Sequence, residues 1–377
     1  MLGSLKLGKI AGIEIGVHWS WLFIFLLITW SFAGGILEHF FPEWSEVHRW
    51  AAGAVVSLIF FASILLHELS HAFVARRYGI EVKGITLFVF GGVASLGREA
   101  QSAQQEFFIA VAGPLTSLGL AALFGAGYGV LRVPAPGVAG ISAHLAIINA
   151  IIAVFNMVPG FPLDGGRVFR SLVWWRSRNL LSATRMASRT GGGVAYLLMG
   201  LGVVFLFLGN LISGVWFILI GMFLRNASTA SYEHVLADMA LRGITAAEAA
   251  RTDYQPVPAD ISLQELVDRY VLSHNVRCFP VVRGGELVGM ITLTDIRGQP
   301  RESWPYTSVS STMTPLDRVR AVSPREDLRR VMQIMGEADV NQVPVVEGRT
   351  LLGMVSRSDI LRLIQVRREM GIGASTS

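Results

Sequence analysis

The sequence predicts an α-helical polytopic membrane domain followed by a soluble α/β tandem repeat. Three observations lead there. Of 377 residues, 52% are hydrophobic and only 16% charged, a balance foreign to a single water-soluble domain. The apolar residues concentrate before Arg225 in six long runs, and the chain beyond has ordinary soluble content. Within that later part Phe279-Pro280-Val281-Val282 returns as Val343-Pro344-Val345-Val346, a period of 64 residues that marks an internal duplication.

The six runs fall at 19–37, 51–74, 107–131, 141–158, 194–209 and 211–224. At about 1.5 Å per residue, roughly 20 apolar residues cross a bilayer. The last two runs, joined by little more than Asn210, read as a tight hairpin. Charge sets their orientation. Lys6 and Lys9 precede the first run. Arg76, Arg77, Lys83 and Arg98 follow the second, and Arg167, Arg170, Arg176, Arg178, Arg185 and Arg189 follow the fourth. The loop after the first run instead carries Glu38, Glu43 and Glu46. The positive-inside rule therefore predicts a multi-pass protein of the cell membrane with both termini cytoplasmic. The net charge of +5 is absorbed by this pattern and by lipid headgroups. No basic–aromatic stripe points to nucleic acid. The single cysteine, Cys278, excludes an intrachain disulfide framework and reads as a small core residue.

The second run contains His67-Glu68-Leu69-Ser70-His71. An ionisable cluster at membrane depth is costly and is by default a functional site. Histidines at i and i+4 share one helix face and can ligate one metal, which sets the intervening Glu68 beside a water at that metal as general base. A catalytic zinc needs a third protein ligand. Between Met1 and Ala237 there is one aspartate, Asp164, placed after the fourth run and before the arginine-rich loop, at the same membrane face as His67 and His71. Pro162, Gly165 and Gly166 around it let the backbone turn; N-capping of the following helix is its other reading. Residues 84–97 read as strand, Gly91-Gly92 turn, strand, a short membrane-associated β-hairpin. Such a hairpin must be shielded by protein or line a wet cavity, and its free edge could accept an unwound substrate by strand addition.

His67-Glu68-Leu69-Ser70-His71, taken with Asn156-x-x-Pro159 and Leu163-Asp164-Gly165-Gly166, resembles the site-2 protease family of intramembrane zinc metalloproteases, peptidase M50, over residues 1–224. The resemblance implies that His67, His71 and Asp164 hold one Zn2+, and that Glu68 activates water and passes its proton to the leaving amine. It also implies that Asn156, with Pro159, helps hold the substrate main chain, a role extended here to Gly91 and Gly92 at the hairpin turn. The implied partner is a membrane-tethered protein cleaved within or near its transmembrane segment. No PDZ-like insert separates the second and third runs, which fits the subgroup typified by the sporulation protease that cleaves a membrane-tethered pro-sigma factor.

After a polar stretch at 225–242 that reads as a linker, residues 243–370 resemble a CBS domain pair, with copies at 243–304 and 308–368. Each copy reads helix, strand, turn, strand, helix. In that family the cleft between copies often binds adenine nucleotides, which implies Thr292 and Asp295 in the first copy and Ser356 and Asp359 in the second. Equally, such pairs serve as packing or homodimerisation surfaces, with the aspartates capping the helices that follow. The tail at 371–377 reads as disordered.

Other residues have plainer readings. His18 beside Trp19 suits the membrane interface, and His144 suits a helix-contact hydrogen bond. Ala112-Gly113-Pro114 is a kink and close-packing point in the third run. Trp174 and Trp175 among arginines suit an interfacial helix. The competing function is a CBS-regulated cation transporter or channel. That reading calls for repeated halves or interrupted helices around the ion, and the membrane half carries no repeat.

Overall fold

The computed structural model describes residues 4–89, 91–272 and 276–370; the tail expected to be disordered lies outside them. The chain forms two compact units, the first reaching Glu233 and the second beginning at His234.

The first unit opens with strands β1 (Ser4–Ile10) and β2 (Ile13–His18). Helix α1 (Ser20–Ser31) passes through a π-helical turn at Phe32–Ile36 into α2 (Leu37–Phe40). Then come α3 (Glu46–Arg77), β3 (Val82–Phe88), β4 (Gly91–Leu96), α4 (Ala103–Leu131), α5 (Pro136–Asn156), α6 (Asp164–Ser177), α7 (Leu180–Phe207) and α8 (Leu211–Leu241). Among the described residues six helical segments are long and apolar enough to cross a membrane: Ser20–Phe40, Glu46–Arg77, Ala103–Leu131, Pro136–Asn156, Leu180–Phe207 and Leu211–Leu241. Their outward faces stay apolar, as lipid requires.

Three features differ from the sequence reading. The expected hairpin is half of a four-stranded sheet in the order β1-β2-β3-β4. Strand β2 runs parallel to β3 with Glu14 opposite Gly84 and Val17 opposite Leu87. The alternation that signals β2 is there, since Ile13, Ile15 and Val17 are buried, but only three apolar positions carry it and two lysines precede it. Second, α7 begins at Leu180, not 194, because Leu181, Ala183 and Ala187 bury one face of a segment that its arginines make look like a loop. Third, the polar stretch read as a linker is helical to Leu241; it contains no glycine or proline between Asn226 and Leu241 to stop it.

The last two spans form the expected tight pair. A Cβ at Gly202 would lie 2.7 Å from the Gly214 carbonyl oxygen, so glycine lets the helices touch backbone to backbone. Ser188 and Ser228 each donate to the other's carbonyl at 2.7 Å.

The sheet positions the site by packing on α3. Ile13, Ile15, Val82 and Ile85 from its strands, with Ile80, share one core with Leu69, Ala72 and Ala75 of α3 and Ile109 of α4. The His-Glu-His turn is thereby clamped between the sheet and α4.

In the second unit β6 (Cys278–Arg283) pairs with β7 (Glu286–Thr292), and β9 (Gln342–Glu347) with β10 (Thr350–Ser356). The short strands β5 (Val257–Pro258) and β8 (Thr314–Pro315) flank the first pair. The duplication extends to register: Cys278 faces Thr292, and Gln342 faces Ser356. Leu263–Leu266, continued by a π-helical turn, and Leu328–Glu337 are the expected leading helices. Leu293–Arg297 and Arg357–Glu369 follow the hairpins. Each copy has its own core, one around Phe279 and Ile291 and the other around Val343 and Val355. Cys278 is half-buried, and burial pushes its thiol up to about 12, so it is an inert packing residue.

Candidate metal centre

Helix α3 starts at Ser45, whose hydroxyl accepts from the His48 amide, and delivers His67 and His71 one turn apart. Both imidazoles are almost fully buried, and their Nε2 atoms lie 3.2 Å apart. Asp164 Oδ2 sits 3.1 Å from the first and 3.2 Å from the second. Among the described residues this is the group of histidine and acidic side chains close enough to share a metal.

The donor set fits zinc on two counts. Zinc ligands at about 2.0–2.1 Å in a tetrahedral shell stand roughly 3.3–3.4 Å apart, close to the triangle observed. The second count is electronic. His71 Nδ1 is 2.6 Å from the Ile109 carbonyl oxygen, which can only accept, so in the neutral ring Nδ1 carries the proton and Nε2 a lone pair. His67 Nδ1 lies 2.9 Å from Ser117 Oγ, a hydroxyl that accepts the ring proton when His67 takes the same tautomer. With both rings protonated at Nδ1, two lone pairs and a carboxylate oxygen face one another, and a cation resolves the repulsion. Partners on the far ring nitrogens are what fix tautomer and orientation in metal-binding histidines.

Both partners come from α4, and so does the space. A Cβ at Gly113 would lie 2.1 Å from His71 Nε2 and 2.5 Å from His67 Nε2. The close-packing point expected at Ala112-Gly113-Pro114 is therefore the wall of the metal site. Ser117 and the Ile109 carbonyl were missed by sequence reasoning: a serine in a small-residue helix looks like packing, and a carbonyl has no sequence signature.

Asp164 opens α6. The N-cap is Leu163, which has no side-chain acceptor, so the carboxylate does not cap; it turns to the histidines, beside the positive end of the helix. Gly165 and Gly166 serve close approach rather than turning. A Cβ on either would fall 2.3 Å from backbone carbon of Met157 or Gly160. Arg170, counted above as an orientation charge, is buried and donates from Nε to Glu106 Oε1 of α4 at 2.6 Å. It also stacks on Phe161, 5.0 Å from the ring centroid. This pair ties α6 to α4 and holds Asp164 in place.

A cavity of about 580 Å³ contains the site. Its polar end is His67, Glu68, His71, Asn156, Asp164 and Arg167; elsewhere Ile28, Phe61, Ile64, Phe155 and Phe223 make it apolar. Gly91 and Gly92 also line it, and a Cβ at Gly92 would lie 2.5 Å from Glu68 Cγ. Strand β4, an outer strand of the sheet, thus runs directly over the expected base. Pro159 is exposed and stands outside the cavity wall.

The remaining candidates lie elsewhere. His18 is bonded to Ser20 Oγ at 2.8 Å. His144 donates to Gly140 O of its own helix at 2.8 Å, not to a neighbouring helix. Thr292 with Asp295, and Ser356 with Asp359, form capping boxes on the helices that follow their hairpins.

The chain is similar to known proteins along nearly its whole length. The Peptidase family M50 profile matches residues 55–133 and 131–200, and the CBS domain profile matches 246–301 and 309–366. The chain is 36% identical over 373 residues to Rip3 of Mycobacterium tuberculosis, provisionally named a zinc metalloprotease, covering 98% of this chain and 94% of that one. A zinc metalloprotease of Methanocaldococcus jannaschii is 28% identical over 366 residues, 96% of each chain. Among solved structures, a site-2 protease from the same archaeon covers 61% of this chain and 95% of its own at 26% identity, with a TM-score of 0.43.

Proposed function

The chain belongs to peptidase family M50 as a membrane zinc metalloprotease of the site-2 type with a CBS pair, and from that premise we propose that it cleaves a peptide bond within or near the transmembrane segment of a membrane-tethered protein. The observation that carries this reading is the convergence of His67, His71 and Asp164 at 3.1–3.2 Å within an otherwise apolar cavity. In this reading those three residues hold the ion. Zinc, when bound, supplies Lewis acidity that makes water acidic and a carbonyl electrophilic.

The protein's own residues do the rest. Glu68 takes the proton of the attacking water and delivers it to the departing amine. A substrate helix hides its carbonyls in intrahelical bonds, so it must unwind before attack. The free edge of β4, passing over Glu68 at Gly92, accepts the unwound segment as an added strand, and Asn156 supplies an amide to its main chain. The apolar cavity wall excludes bulk water from the substrate segment. The basic loops put the site at the cytoplasmic face with both termini inside the cell. The CBS pair regulates the protease through an adenine nucleotide at Thr292, Asp295, Ser356 and Asp359, or through homodimerisation.

Glu68→Gln is the test. The variant keeps its zinc and loses cleavage of a membrane-tethered substrate by more than about 10³-fold; retained proteolysis rejects the mechanism. For regulation, Asp295→Ala or Asp359→Ala weakens binding of ATP or AMP to the full chain, and unchanged affinity rejects nucleotide sensing at these boxes.

A further inference from the structure

Of the residues lining the cavity, Arg167 is the one with a guanidinium or ammonium group, and the roles above leave it without a task. It stands one turn after Asp164 on α6, and residues at i and i+3 share a helix face. Its side chain is partly exposed, at 23%, in a region where Arg170 is buried. The nearest carboxylate is Glu106, and that group is already committed: Oε1 accepts from Arg170 Nε at 2.6 Å and also contacts Arg170 Nη2. Arg167 Nε is 4.0 Å from the same oxygen, beyond hydrogen-bond distance. Glu106 therefore orients the Arg167 guanidinium and does not consume its donors.

The placement of charges around the cavity points the same way. Asp164 faces the two imidazoles, and Glu68 needs its charge to accept a proton. Two guanidiniums flank one carboxylate at Glu106, and Arg167 is the one of the two that reaches the cavity, which Glu68 and Asp164 also line. A planar fork of N–H donors in a poorly hydrated wall is suited to negative charge developing on oxygen.

We propose that Arg167 is a further catalytic residue of this protease, donating hydrogen bonds to the scissile carbonyl oxygen as it gains negative charge. The inference rests on the proteolytic reading above. No proton leaves the guanidinium; the oxygen's charge is stabilised while water adds to the carbonyl carbon, and the hydrogen bonds relax when the C–N bond breaks.

The test uses the full chain in proteoliposomes and a fluorescent transmembrane peptide chosen because wild type cleaves it and Glu68→Gln does not. Arg167→Gln is expected to lower kcat about 10²–10³-fold, with KM within about twofold and zinc content and Tm unchanged. Arg167→Lys, which keeps the charge but not the fork, recovers at least about tenfold over Arg167→Gln. A kcat within threefold of wild type overturns the proposal. So does a rise in KM alone, which makes Arg167 a ground-state binding residue, and so does a parallel loss of zinc or Tm, which makes it scaffold. Cleavage surviving in Glu68→Gln defeats the parent reading instead, and is read independently of the Arg167 variants.

Discussion

Asp164 in the membrane unit and Asp295 and Asp359 in the soluble unit each occupy the first turn of a helix, yet they do different chemistry. Asp295 and Asp359 sit three residues after a threonine or serine N-cap and close capping boxes with it. One oxygen of each, Oδ2, accepts from the N-cap's backbone amide and hydroxyl, and Asp359 Oδ1 also lies 3.6 Å from Arg251 Nη1. Asp164 is the first residue after Leu163, a cap with no side-chain oxygen to offer, and its carboxylate points across to His67 and His71. Position within the turn separates an acid that caps its own helix from one whose carboxylate is turned to the histidines. Aspartate recurs through the soluble unit, whereas Asp164 is the one aspartate between Met1 and Ala237, and it lines the cavity.

Four substitutions break or sharpen that contrast, in descending order of effect. Gly113→Ala puts a Cβ 2.1 Å from His71 Nε2; it should empty the metal site, read as zinc content by plasma mass spectrometry, while leaving the soluble unit's folding intact. Arg170→Gln strands Glu106, which is fully buried and already has Oε2 without a partner. Removing one member of a buried pair costs about 3–5 kcal/mol, measurable as a lowered Tm in detergent together with reduced zinc occupancy. Ser117→Ala removes the partner of His67 Nδ1 and should weaken zinc about 10–100-fold in competition with a chelator. Thr292→Ala opens one capping box in the soluble unit and should lower that unit's stability by about 1 kcal/mol, with zinc occupancy unchanged. Zinc loss in Thr292→Ala would refute the division between helix-capping and metal-facing acids.

The contrast also explains what could be read before the structure. His67, Glu68, His71 and Asp164 were legible because a titratable group within an apolar run has few ordinary explanations. The duplication was legible because Phe279-Pro280-Val281-Val282 and Val343-Pro344-Val345-Val346 repeat the same local pattern, and it carried over to strand register. Strands β1 and β2 were not, since a parallel pairing between residues 14–17 and 84–87 is a long-range choice that local alternation does not encode. Nor was the start of α7, where arginines on one face hid the alanines buried on the other. Ser117, the Ile109 carbonyl and the freedom of Arg167 became visible only once α4 and α6 were seen against α3.

Zinc K-edge X-ray absorption on the purified full chain tests the shared metal centre most directly. The expected spectrum is one zinc per chain with two imidazole nitrogens and oxygen donors at about 2.0–2.1 Å, and Asp164→Ala loses an oxygen from that shell or loses the ion. A shell without two imidazoles, or one that Asp164→Ala leaves unchanged, contradicts the account.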